Sequence, residues 1–240
     1  MSETDTRPVI DVTPEGIADE TADAEGIVRA GEVLPEEIPI LPLLERPMFP
    51  GITVPIQLRE GQWTAVNFGL ARAQQTLGLV LSLDPDREHS AENLHAVGVA
   101  AKILRAMGES EDDVTHVLVH GLRRFRIEGT RTVDEVVVAK VHYHEPDEER
   151  PDDELKAYAM AIVTTLKELV QLNPLQGEAI KMFLDRSTLD APEALTDFAA
   201  NLTTAEGPAL QEVLEAWDLR RRIELVLMLL KKEVELAKLQ

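Results

Sequence analysis

The chain has 240 residues, long enough for two modest domains with cores of their own, and a formal net charge of −20. That charge repels phosphate backbones and anionic lipid surfaces, which argues against nucleic acid and membrane as direct partners. It has no cysteine, which excludes disulfides, thiolate nucleophiles and cysteine-ligated zinc, and no window approaches the ~18 consecutive apolar residues of a spanning helix. Neither an export signal nor an organelle presequence is visible at the N-terminus, so the expected location is cytoplasmic.

Residues 1–37 are rich in Glu, Asp, Thr, Ala and Gly, with apolar residues scattered singly. Such a segment buries too little surface to offset its ordering entropy and reads as an acidic disordered leader. From Ile38 the character changes. Ile38–Leu43 reads as a strand whose prolines suit an edge or a strand start, and Thr53–Leu58 as a second. Gln62–Gln75 has helical spacing, with Trp63, Val66, Leu70 and Ala73 on or near one face and Trp63 and Phe68 expected in the core. Leu77–Leu83 is a buried-type strand closed by the turn signal Asp84-Pro85-Asp86. Val97–Met107 and Val114–His120 flank a polar hairpin turn, and Arg124–Ile127 and Val133–Val141 follow. Many short strands with one early helix predict an α+β chain that opens with a small β-barrel or pseudo-barrel, over residues 38–145.

Residues 146–154 form an acidic linker, and 155–240 a helical subdomain. Asp152 or Asp153 is placed to cap a helix from Leu155 to Leu172, which Asn173-Pro174 ends. Shorter helices are predicted at Glu178–Asp185, Pro192–Asn201 and Pro208–Ala216. The last helix starts at the cap Asp218 and carries Leu219, Ile223, Leu227, Leu230 and Val234 as a seam; Leu225, Val226, Met228 and Leu229 widen it until one turn is apolar nearly all round. The chain then stops inside that helical pattern without a Gly or Asn cap, which reads as a fragment of a longer protein.

The sequence contains no G-x-x-x-x-G-K-[ST], no G-x-S-x-G and no H-E-x-x-H, so no catalytic, cofactor-binding or metal residues are expected in it. His142 and His144 share a strand face beside Glu145, but two ligands without a third are not a metal site; His116 and His120 share a face in the same way. The apolar run Arg46-Pro47-Met48-Phe49-Pro50-Gly51 stands where a turn is expected. Met48 and Phe49, with Met107 at the end of its strand, are the candidate contacts for unfolded polypeptide. The other reading is that Phe49 plugs one end of the barrel, since isolated loop aromatics more often pack than bind.

The run Ile38-Pro39-Ile40-Leu41-Pro42-Leu43, then Phe49-Pro50-Gly51, then Val54-Pro55-Ile56 closely resembles the opening of the Lon N-terminal domain: a P-x-L-P-L strand, an F-P-G turn and a second proline-bearing strand. Val97-Gly98-Val99-Ala100, Val119-His120-Gly121-Leu122-Arg123-Arg124-Phe125-Arg126-Ile127, Ala139-Lys140-Val141, Leu172-Asn173-Pro174 and Asp218–Leu225 follow in the family's order. Leu44 departs from it, standing where an arginine is common. The resemblance implies a PUA-like β-domain and a helical bundle ending in a long exit helix. It further implies a parent protease whose ATPase module, with ATP and Mg, and serine–lysine protease module lie outside this chain. The expected partners are unfolded or degron-bearing polypeptides and other copies within a parent hexamer. A free-standing adaptor of the same fold is the competing reading; an unnoticed hydrolase would need a nucleophile and base that the sequence does not supply.

Overall fold

The computed structural model describes residues 33–239 apart from 60, 88–89, 109–113, 146–150, 173 and 187–190. Residues 1–32 of the acidic leader, the hairpin tip and most of the acidic linker lie outside the described residues. The leader's last residues join the sheet: Glu37 opens the first strand, Glu36 O accepts from Val141 N, and Pro35 O accepts from the Tyr143 hydroxyl. Pro35–Gln240 form one compact unit. Its strands are β1 (Glu37–Leu43), β2 (Thr53–Gln57), β3 (Thr76–Leu81), β4 (Val97–Gly108), β5 (Val114–Val133) and β6 (Val136–Tyr143), with α1 (Trp63–Arg72) after β2. Helices α2 (Asp153–Leu172), α3 (Pro174–Arg186), α4 (Pro192–Leu202), α5 (Gly207–Glu215) and α6 (Leu219–Lys238) follow.

The strands are ordered β2-β5-β4-β3-β1-β6, and β6 pairs again with β5, so the ladder runs in a circuit through β5, β4, β3, β1 and β6. The length of β5 makes this possible. Its first half pairs with β2 and its second half with β6, while β4 runs along much of it. The sequence suggests two strands broken at Gly121-Leu122; the structure has one, with a bulge there, because Ala100 pairs with Arg123 and Ala101 with Gly121. Leu41, Leu77, Val117 and Val119 fill one part of the interior, and Ile38, Val80 and Phe125 another.

Val97 and Val99 point the other way from Ala100 and join the helical core with Ile162, Leu166, Leu210 and Ile223. The sheet therefore serves as one wall of the helical layer, and its burial links the two parts of the chain. Helix α1 buries Ala65, Val66 and Gly69 rather than Leu70, which is 36% exposed. Small residues let that helix lie close to the sheet: a Cβ on Gly69 would come within 2.8 Å of the Thr76 carbonyl.

Asp152 caps α2, its Oδ1 accepting from Leu155 N at 2.8 Å, and Asp218 caps α6 by accepting from Arg221 N at 2.8 Å. Pro174 starts a new helix, so α3 begins earlier than its sequence pattern suggests. Ile223, Leu230 and Val234 are buried on α6 as expected, but Met228 is 55% exposed, so the apolar turn is not enclosed all round. No helix among the described residues is long and apolar enough to cross a membrane.

Candidate functional site

The run from Arg46 to Gly51 is a joint. Arg46 Nη2 donates to the carbonyls of Thr203 (2.9 Å) and Asn201 (3.4 Å), so its charge sits at the C-terminal end of α4. Met48 is 6% exposed and enters the barrel interior; Phe49 is fully buried in the helical core. Gly51 N donates to Gly121 O and Gly121 N to Ile52 O. A Cβ on Gly121 would stand 2.6 Å from the Phe49 carbonyl, and one on Gly207 2.3 Å from that of Glu45, so two glycines let the loop seat. Met48 and Phe49 are thus corrected as polypeptide contacts: both are consumed by packing, Phe49 in the helical core rather than at a barrel end. Met107 is half-buried opposite His116 on the outer face of the β4–β5 pair.

Beside this joint two arginines lie buried. The Arg124 guanidinium donates from Nη1 to Asp197 Oδ2 at 2.8 Å, from Nη2 to Asp197 Oδ1, and from Nε to Leu214 O at 3.3 Å. Arg222, with no exposed surface, donates to Ala216 O (2.8 Å), Trp217 O (3.3 Å) and Glu193 Oε1 (3.3 Å), holding the bend between α5 and α6. Burial, with Arg124 nearby, lowers its affinity for the proton. His144 Nε2 lies 3.4 Å from Glu193 Oε1, and burial holds its imidazole below the usual histidine range. His142 and His144 both pack on Trp217, the first stacked at 6.2 Å and the second edge-on at 5.0 Å, with the Arg126 guanidinium 4.8 Å from the indole centre.

A cleft of about 560 Å3 opens over this joint, between Pro50-Gly51, Leu122-Arg123 and the first turn of α4. Its charges are largely paired with one another, Arg124 with Asp197 and Arg220 with Asp152 and Glu154, while the neutral His144 lies against Glu193. The sequence reading missed Arg124, Asp197, Trp217 and Arg222. Arg222 left a signal, since it lies three residues after Leu219 and four before Val226, on the buried stripe of α6.

A second cleft, of about 530 Å3, has a different character. It lies between the end of β1 and β2, lined by Leu43, Leu44, Ile56 and Leu58 with Gln57 and Arg59 at its rim. Leu43, Ile56 and Leu58 are half-buried against the barrel interior. Gln62 spans one end, its Nε2 donating to Pro42 O at 3.3 Å while its Oε1 accepts from Arg59 N at 2.8 Å. His120 shares a hydrogen bond with Thr53 at 2.8 Å and His116 one with Thr115 at 2.9 Å, on the outer face next to this edge.

Residues 37–232 match the family model described as the ATP-dependent protease La (LON) substrate-binding domain. The chain is 48% identical over 225 residues to Lon protease 1 of Syntrophotalea carbinolica, covering 93% of this chain and 28% of that protein. Against Lon protease of Chlamydia pneumoniae it is 39% identical over 241 residues, covering 97% of this chain and 29% of that protein. The chain therefore spans less than a third of the length of these relatives. In fold it is similar to the N-terminal domain of Mycobacterium avium complex Lon protease (TM-score 0.68, 23% identity, 81% of this chain and 98% of that one). It is likewise similar to the Lon N-terminal domain protein from Xanthomonas campestris (TM-score 0.56, 22% identity, 80% and 97%). With the match running from the first residue of β1 well into α6, the chain belongs to the LON substrate-binding domain family.

Proposed function

We propose that this chain is the non-catalytic, substrate-contacting region of a longer Lon-type protease that degrades misfolded or tagged proteins. The observation that carries this reading is the family match over residues 37–232, which takes in every described strand and helix, the last one as far as Lys232. The circuit of strands supports a PUA-like pseudo-barrel for 38–145, and the helices after Asp152 a bundle whose last member leads out of the domain. Hydrolysis, and the ATP and Mg that drive it, belong to modules outside this chain. The parent works as a cytoplasmic hexamer, in which several weak contacts around one pore add through effective concentration.

Within the chain, the β1–β2 cleft is where a polypeptide engages. It combines half-buried leucine and isoleucine side chains with an open sheet edge, whereas the joint cleft satisfies its polar groups internally. Met107, half-exposed on the neighbouring face, is the sequence candidate that a bound chain can reach. The test is pull-down or titration of the 240-residue chain against a permanently unfolded, apolar-rich protein and its native form. Preference for the unfolded form is expected; equal and negligible binding of both would sink the reading.

A further inference from the structure

The register of β2 fixes which of its backbone groups face outward. Thr53 to Gln57 pair with His120 to His116, and Leu58 N donates to Thr115 O while Gly121 N donates to Ile52 O. Residues 52, 54, 56 and 58 therefore exchange hydrogen bonds with β5, and the N–H and C=O groups of Thr53 and Gln57, with the C=O of Pro55, turn away from it. No described strand pairs with β2 on that side. On the opposite rim of the cleft Pro42 turns its backbone away from β3, because Ser82 N donates to Leu43 O on the β3 side, while the earlier part of β1 is covered by β6. That rim is blunted: Pro42 has no N–H and its carbonyl is taken by Gln62.

We propose that the outer edge of β2 captures an extended segment of a foreign polypeptide as an added strand, its alternate side chains resting on Leu43, Ile56 and Leu58. This deepens the substrate-contacting reading and rests on it. Outward donors and acceptors beside an apolar floor call for a ligand that supplies both kinds of backbone group at strand spacing. A helix has used its own groups internally, and phosphate backbones are repelled by a chain of net charge −20. A second copy of β2 is a poor occupant, because antiparallel pairing about Pro55 would set two prolines opposite each other, carbonyl against carbonyl with no donor between. Pro55 thus guards the edge against itself while leaving it open to other chains.

The test uses the 240-residue chain and a short peptide of alternating valine and threonine with a lysine at each end. The peptide is N-methylated at one position at a time. Strand addition predicts losses of about fivefold in affinity per methyl at alternate positions and little change at those between. Gln57→Pro, which removes an outward N–H and leaves the β5 ladder intact, is expected to weaken the parent peptide by a similar factor without lowering thermal stability. A parent peptide that binds with no period-two pattern overturns strand addition and leaves the substrate-contacting reading standing. An unfolded protein that binds while the parent peptide does not also overturns it. Sedimentation that finds a dimer abolished by Gln57→Pro assigns the edge to a second copy and overturns it too.

Discussion

The two clefts are nearly equal in size, about 560 and about 530 Å3, and opposite in chemistry. At the joint, charged side chains from distant parts of the chain neutralise one another: β5 supplies Arg124, α4 supplies Asp197 and Glu193, and α6 supplies Arg222. Between β1 and β2 the polar groups are backbone groups facing outward, and the apolar side chains are half-covered. A cleft that has satisfied its own groups fixes the two parts of the chain in place. One whose groups need a partner is suited to a transient ligand. Both rely on the loop between β1 and β2, which seals the first cleft and borders the second.

The contrast is broken most severely at Phe49. Phe49→Ala removes a fully buried ring from the helical core and is expected to cost about 4 kcal/mol by chemical denaturation. Loss of polypeptide binding at unchanged stability would return Phe49 to the contact surface. Next comes Asp197→Asn, which leaves Arg124 buried with no opposite charge and with one of its three acceptors replaced by a donor. The expected cost is about 3 kcal/mol, undiminished by solvent because both side chains are 3% exposed. The double replacement Arg124→Met with Asp197→Leu is expected to recover most of that loss, as buried pairs exchange for apolar side chains of similar volume at little cost. A double variant as unstable as Asp197→Asn would mean that the pair contributes net stability.

Periodicity made the elements legible, and distance hid the site. The apolar, proline-bearing run Ile38–Leu43, the helical seam of α6 and the caps Asp152 and Asp218 are local signals, and each leads to the element observed. Gly121-Leu122 misled because a bulge and a strand end share the same residue types. Phe49 was ambiguous because the burial of a loop side chain depends on what packs over it, here helices more than a hundred residues further along. Arg124 and Asp197 are 73 residues apart, and nothing local tells a buried arginine from a solvated one. The β1–β2 edge was half-visible. The prolines of β1 suggested an edge, yet β1 is paired with both β3 and β6 and only its end at Pro42 borders the cleft. Which side of β2 was open required its register with β5.

A smaller effect separates the two clefts by pH. His144 is held neutral by burial, with Glu193, Arg222, Arg124 and Trp217 around it. Its folded-state pKa is lowered, so the unfolded chain binds the proton more readily than the folded one. The stability this histidine contributes is complete above its ordinary pKa of 6.5 and is lost as pH falls from there through the folded value. Urea midpoints at about pH 7.5 and about pH 5.5 are expected to differ less for His144→Gln than for the parent chain. Peptide affinity at the β1–β2 cleft is expected to ignore that substitution. Equal pH dependence in the two chains would mean that His144 is protonated as readily folded as unfolded.

The smallest expected effect lies where the clefts meet. Arg46 places its guanidinium on the last carbonyls of α4 from an exposed loop, so Arg46→Met is expected to cost about 0.5–1 kcal/mol, reduced by salt. Its use is diagnostic. If the loop is one rigid strut between the clefts, loosening it at Arg46 speeds amide exchange at Gly51, whose N–H bonds Gly121 on the joint side, and weakens peptide capture along β2 together. Faster exchange at Gly51 with unchanged peptide affinity would instead make the β2 edge independent of the joint, held in register by β5 alone.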